Sequence, residues 1–361
     1  MLTVPIDPSR TRAHPPSVPC SWLDTSAVTG PYNSNVWSHM VVVVVPPELK
    51  ITNVSIAYLT GNCNHDPKPP HPADEELLSI DLACHNTGAI GIVVYQIPNC
   101  PLVFSSDPSH RGRGEDALIA WTWKEYLEER VAGSPGHGAE WLARLPMAKG
   151  AFQSMRSAQH FINTKLAAAA IDGWVVAGAS KRGWTTWAVG SATCTGENCV
   201  NIVGLAPLVP IAPDIRQVVH RQWRSYGGFT FAFKDYTDVN LTQHMDDPRM
   251  IDAMTVVDPK YYTERLSRIP KFVVVSSDDE FMSMDWTNIW YDDFQANAGE
   301  THLYENQKHT KTGSFDIIFD HPTRICQLHT TANAPCAMRC SACCLCCSGA
   351  DWCLESDAVT Y

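Results

Sequence analysis

A chain of 361 residues with 45% hydrophobic content can bury one large core or two smaller ones without a stabilising staple, so a single α/β domain with insertions is expected. The net charge of −11 at pH 7 and the pI near 5.6 argue against nucleic acid or an anionic membrane as partner, since phosphate contacts need clustered Lys and Arg. No stretch approaches the roughly 18 uninterrupted apolar residues of a membrane span; Met40 to Val45 reads as a buried strand.

The opening segment, Met1 to Asp7, has neither a charged n-region nor an apolar h-region, so either the protein is cytosolic or a leader is missing from this sequence. Val41 to Val45 and Asn53 to Leu59 are predicted strands, the second running out into Thr60-Gly61-Asn62. A Pro-rich loop from Pro67 to Pro72 leads to a helix opened by Asp74-Glu75-Glu76, whose carboxylates suit the positive end of a helix. Ala89 to Tyr95 is the next strand, and Asp116 to Arg130 and Lys149 to Ala169 have helical periodicity. Ile171 to Ala177 is then a strand, followed by a helix and by strands at Val200 to Leu205 and Lys271 to Ser276; Thr301 to Glu305 is a shorter last strand. Strands separated by helices predict an α/β fold with a mostly parallel sheet flanked by helices.

About 65 residues separate Leu205 from Lys271, too many for a plain crossover. They are read as a helical cap or lid whose aromatics (Trp223, Tyr226, Phe229, Phe231, Phe233, Tyr236) build the cap's own core. The domain plan is thus a core of residues 20–206 and 271–315, a cap at 207–270, and a Cys-rich tail at 322–361. Of the 14 cysteines, six lie in the body and eight crowd the tail. The body set fits a few disulfides formed in an oxidising compartment, and Cys194 and Cys199 are close enough to close a small loop. The run from Cys340 to Cys347 has no hydrophobic periodicity and lacks zinc spacing. The preferred reading of the tail is a gene-model error such as a retained intron or frameshift, leaving a segment that is disordered or poorly packed. Two sequons, at Asn53 and Asn240, would accept glycans only in a secreted protein.

The chemistry centres on Gly173-Trp174-Val175-Val176-Ala177-Gly178-Ala179-Ser180-Lys181-Arg182-Gly183, a strand entering a Gly-flanked serine and then a helix. This build lifts a nucleophilic hydroxyl out of a sharp turn, although Arg182 stands where the second glycine of G-x-S-x-G belongs. A serine needs a base to take its proton and an acid to orient that base, and the oxyanion formed on attack needs backbone donors. Lys181 N–H is the first expected donor, and the N–H of Gly61 or Asn62 the second. The Lys181 and Arg182 side chains either hold an anionic substrate group or pair with an acidic residue to fix the elbow; pairing is favoured. Past the late strand at Lys271 lie Asp278, Asp279 and Glu280, where a triad acid belongs, and His309 follows Asp279 by 30 residues. His65 and His71 sit in a Pro-rich loop without a carboxylate at helical spacing, and there is no phosphate loop or dinucleotide fingerprint, so neither metal nor cofactor is expected.

The string GASKRGWTTW, together with blocks at Ala73 to Leu77, Gln96 to Phe104, Glu115 to Trp123, Leu145 to Lys149, Trp223 to Gly227 and Val257 to Pro259, resembles the PhoPQ-activated pathogenicity-related protein family over about residues 20 to 310. The resemblance implies an α/β-hydrolase fold, usually secretion, and a triad in the chain order Ser180, Asp279, His309. Asp279 matches the aspartate of the family's G-D-E/Q-F block, with Asp278 replacing the glycine. Asn306-Gln307-Lys308-His309 is similar to its P-N-x-x-H, with Glu305 replacing the proline. Two functions follow as expectations: a secreted serine hydrolase of small esters or peptides, or, by analogy with the family's proliferation repressor, a secreted signalling protein that meets a cell-surface receptor.

Overall fold

The computed structural model describes residues 2–4, 22–23, 26–30, 35–64, 70–132, 137–192, 199–294, 301–306, 326–328 and 338–340. Eight strands make one sheet: β1 (Leu2–Val4), β2 (Val41–Val44), β3 (Ile51–Leu59), β4 (Ala89–Val94), β5 (Gly173–Ala179), β6 (Ile202–Leu208), β7 (Lys271–Ser276) and β8 (Thr301–Asn306). Their spatial order is β1-β2-β4-β3-β5-β6-β7-β8. β1 and β2 pair antiparallel at one edge, and every pairing from β4 to β8 is parallel.

The sheet is covered on both faces, which is why its strands read as continuous apolar runs. All of Val41–Val44 and Ala89–Val94 are buried. Alternation still sorts them: Val41 and Val43 join a larger core, Val42 and Val44 a smaller one with Leu77, Ile80 and Cys84 of helix α1 (Glu75–Thr87). Asp74 caps α1 by accepting from the Leu77 N–H, and Gly88 ends it in the left-handed region, φ 70°. Cys84 is a free thiol with no exposed surface, and burial pushes its pKa far above the ordinary value.

The larger core takes helices α2 (Glu115–Ala132), α3 (Arg144–Lys165) and α4 (Lys181–Ser191). α3 begins and ends earlier than the predicted Lys149 to Ala169. Pro146 lies in its first turn, where a missing N–H costs nothing, and Leu166 leaves the helix at φ −115°, ψ 94°. β5 starts at Gly173 rather than Ile171, because Ile171 exchanges two hydrogen bonds with the Asn163 side chain. β6 runs past Leu205 to Leu208, with Pro207 opposite Gly178.

Between β6 and β7 the chain is helical: α5 (Ile215–Tyr226), α6 (Lys234–Asp238), α7 (Pro248–Val257) and α8 (Thr263–Leu266). Its aromatics divide. Phe233 is buried, whereas Trp223, Tyr226 and Phe231 are exposed. In the C-terminal segment, Cys326–Leu328 pairs antiparallel with Met338–Cys340 in a ladder separate from the main sheet. A disulfide joins Cys63 to Cys100, a pairing that the sequence does not single out. Cys199 is disulfide-bonded, and Cys194 lies outside the described residues. Among the described residues no helix is long and apolar enough to cross a membrane.

Candidate active site

β3, β5, β7 and β8 run parallel, so the residues after them share one edge of the sheet, the edge where open α/β sheets place their ligands. At this edge β5 turns sharply into α4 through Ser180, which holds φ 55° and ψ −122°. No ordinary L-residue rests there at ease, and strain of this kind costs on the order of 1–3 kcal/mol. The Ser180 N–H donates to the Leu208 carbonyl at 2.8 Å, and its own carbonyl accepts from Trp184 at 3.0 Å. Its side chain is partly exposed and does not cap the helix. The Lys181 N–H, first of the unsatisfied donors of α4, has no partner among the described residues.

Packing explains the unusual spacing of the motif. A Cβ on Gly183 would stand 2.7 Å from the Leu208 carbonyl oxygen and 3.1 Å from that of Gly178, so glycine is required three residues after the serine. A Cβ on Gly178 would meet the Arg182 Cβ and carbonyl oxygen at 2.9 Å. Because Gly178 lacks that atom, Arg182 fits where a second glycine was expected.

The two cations of the elbow are paired with carboxylates, as favoured from sequence. Lys181 Nζ lies 2.7 Å from Asp116 and 3.1 Å from Glu115, and Arg182 Nη2 donates to Glu115 Oε1. Glu115 begins α2 at φ 53°. Burial pushes its carboxyl up, but the charges and hydrogen bonds of Arg182 and Lys181 outweigh that and take the pKa from 4.5 down to about 2. Asp116 also accepts from the Tyr236 hydroxyl at 2.8 Å, tying α6 to the same cluster. Beneath the elbow, Arg144 has no exposed surface; it donates to the Lys181 carbonyl at 2.7 Å and lies 4.0 Å over the Trp184 ring. Burial lowers its pKa from 12.5 to about 10, against the opposing pull of Tyr236 and Asp116. Sequence reasoning missed Glu115, Asp116, Arg144 and Tyr236 as members of this site. The one available signal was the Glu115-Asp116 pair at a helix start, opposite in charge to Lys181-Arg182.

Gly61 and Asn62 follow β3. The Gly61 carbonyl accepts from Gln96 N–H at 2.6 Å, Asn62 takes φ 75°, and the Cys63–Cys100 disulfide comes directly after. Neither the Gly61 nor the Asn62 N–H donates to another described residue. Asp279 follows β7 and is 6% exposed. Its Oδ1 accepts from the Phe281 and Met282 N–H groups at 2.8 and 3.0 Å. The Glu280 carbonyl of this turn accepts from Gln222 of α5 at 2.8 Å and from the Thr230 hydroxyl at 2.6 Å, and the Phe281 ring packs 5.3 Å from that of Phe233. β8 ends at Asn306 on the same edge; His309 lies outside the described residues. Of the two sequons, Asn240 is exposed in a turn at φ 62°, whereas Asn53 is exposed within β3 beside a Ser55 that is fully buried and bonded to the Ile90 carbonyl.

In sequence the chain is similar to autocrine proliferation repressor protein A of Dictyostelium discoideum, with 34% identity over 306 residues. That alignment covers 83% of this chain and 57% of that protein, so the chain spans little more than half of the relative's length. Among solved structures it is similar to an acetyl xylan esterase from Paenibacillus sp. R4, at 13% identity and a TM-score of 0.43, with 76% of each chain covered. It is also similar to a puromycin-hydrolyzing peptidase from Mycobacterium tuberculosis, at 12% identity and a TM-score of 0.48, over 82% of this chain and 37% of that one. The fold is that of an α/β hydrolase, with the serine turn at the carboxyl edge of a mostly parallel sheet. The family model for PhoPQ-activated pathogenicity-related proteins matches residues 21–334, continuing past His309 into the Cys-rich segment. With that match over most of its length, the chain belongs to the PhoPQ-activated pathogenicity-related protein family.

Proposed function

We propose that this protein is a secreted serine hydrolase that cleaves small esters or peptides through an acyl-enzyme on Ser180. The observation that carries the reading is the strained Ser180 backbone at the strand-to-helix turn, beside a Lys181 N–H without a partner among the described residues. Strain of this kind persists where the surrounding structure enforces it, and here it holds a hydroxyl at the mouth of a helix N-terminus. In this mechanism His309 takes the Ser180 proton as the oxygen attacks the carbonyl carbon, and Asp279 orients the imidazole. The Lys181 N–H, with that of Gly61 or Asn62, receives the oxyanion. His309 then gives its proton to the leaving group, and water repeats the cycle to release the acid. Residues 207–270 act as the cap over this edge, held to the acid turn through Gln222, Thr230 and Phe233. Secretion is supported by the Cys63–Cys100 disulfide and by the exposed sequon at Asn240.

The test is covalent labelling by a fluorophosphonate. Wild-type protein should label at Ser180, and Ser180→Ala should abolish labelling and lower ester or peptide turnover by about 10⁴-fold or more. A wild-type protein that neither labels nor turns over any such substrate would refute the reading.

The similarity to a protein named as a proliferation repressor favours a second reading, in which the scaffold is a secreted signal that binds a cell-surface receptor. Growth repression retained in Ser180→Ala would assign that role to the surface rather than to the serine.

A further inference from the structure

The proposed oxyanion donors come from separate loops, Lys181 after β5 and Gly61-Asn62 after the neighbouring β3. We propose that Arg182 is the positioning residue that sets these two loops relative to each other; its catalytic consequence rests on the serine-hydrolase reading above. Arg182 leaves the first turn of α4 and is buried, 7% exposed. Its Nε donates to the Ile97 carbonyl and its Nη2 to Glu115 Oε1. The guanidinium presses on Gly61 so closely that a Cβ there would stand 2.4 Å from Nη2 and 2.9 Å from Cζ.

Ile97 is part of the same grip. The Ile97 N–H donates to the Thr60 carbonyl at 3.0 Å and the Gln96 N–H to that of Gly61 at 2.6 Å. One side chain therefore runs from the elbow to the segment that holds the Gly61-Asn62 turn, and also lies against the turn itself. The planar fork matters, because Nε and Nη2 reach two acceptors at once and a lysine ammonium cannot hold both in that geometry. The departure from G-x-S-x-G thus has a function. The space that Gly178 leaves open admits the residue that spaces the two donors, and a misplacement of about 1 Å at such a site costs on the order of 10²-fold in rate.

Two readouts test the inference, hydrogen exchange at the Gln96 and Ile97 amides and the second-order rate of fluorophosphonate labelling. In Arg182→Met both amides should exchange about tenfold faster or more, and labelling should slow by roughly 10- to 100-fold. Arg182→Lys, which keeps the charge next to Glu115, should fall between wild type and Arg182→Met, and decides the matter if the methionine variant does not fold. Gly61→Ala should slow labelling about tenfold in the wild-type background. It should cost less than about threefold in Arg182→Met, where the group it collides with is gone. Unchanged exchange at Gln96 and Ile97, unchanged labelling in Arg182→Met, or strictly additive effects in the double variant would overturn the proposal. If wild-type protein does not label at all, the hydrolase reading fails, and the exchange rates alone decide whether Arg182 ties the loops.

Discussion

Replacing Arg144 by methionine should leave the protein as stable as wild type or more so, although it deletes a buried side chain beneath the elbow. The guanidinium has no exposed surface, and its Nε and Nη2 have no hydrogen-bond partner among the described residues. Burial takes its pKa from 12.5 to about 10, which at about 1.4 kcal/mol per decade means that the fold disfavours the cation by about 3 kcal/mol. That figure already includes the attraction of Asp116 and Glu115, which keep Lys181 and Arg182 as partners when Arg144 is gone. Methionine gives up the 2.7 Å bond to the Lys181 carbonyl, but that oxygen still accepts from the Thr185 hydroxyl at 2.9 Å. It also gives up the stacking on Trp184, about 2 kcal/mol when desolvated, and regains most of that in apolar contact with the same ring. The net expectation is a gain of about 0–3 kcal/mol, within the range seen when buried charges yield to apolar residues of similar volume. Urea denaturation at pH 7 measures it. A loss of 2 kcal/mol or more would refute the reasoning and show that the charge itself holds α3 against α4.

Gly183→Ala should destabilise the fold by roughly 1–3 kcal/mol and abolish labelling of Ser180, because the new methyl meets the Leu208 carbonyl oxygen at 2.7 Å; thermal melting and probe labelling together check it. Replacing Cys63 and Cys100 by serine should cost up to about 4 kcal/mol by the loop-entropy argument for a 37-residue separation, read as a lower denaturation midpoint. Glu115→Gln should lower the melting temperature at pH 7. Glu115 has a folded pKa of about 2 against 4.5 in the open chain, so its stabilisation is complete above about pH 4.5 and is lost as pH falls through about 2. The gap between wild type and Glu115→Gln should close over that window, and a gap that is constant with pH would contradict the pairing.

The parallel sheet was legible wherever a strand is buried on both sides, as at Val41–Val44 and Ala89–Val94, since a continuous β-branched run has few other uses. Leu2–Val4 was not, because three residues at a sheet edge carry no periodicity. α3 begins at Arg144, five residues before the expected Lys149, because Pro146 sits in its first turn where a missing N–H costs nothing, a placement that periodicity alone does not reveal. At the site, Ser180 and its turn were visible in the contiguous run from Gly173 to Gly183, read as strand, turn and helix. What Arg182 touches was not. Glu115, Ile97 and Gly61 lie far from it in the chain, and only the folded sheet brings them to one guanidinium. The Cys63–Cys100 pairing escaped for a related reason, since connectivity among many cysteines does not follow from spacing.

Cys84 gives the fold an internal chronometer. Its sulfur is wedged between α1 and the sheet so closely that a Cβ on Gly91 would come within 2.6 Å of it, and a thiol so placed ionises only when the helix lifts away. An alkylating reagent added to native protein at neutral pH therefore reacts at this residue no faster than α1 opens. The rate of adduct formation at Cys84 thus sets a lower limit on how often the C-terminal end of α1 lifts off Gly91 and the start of its strand.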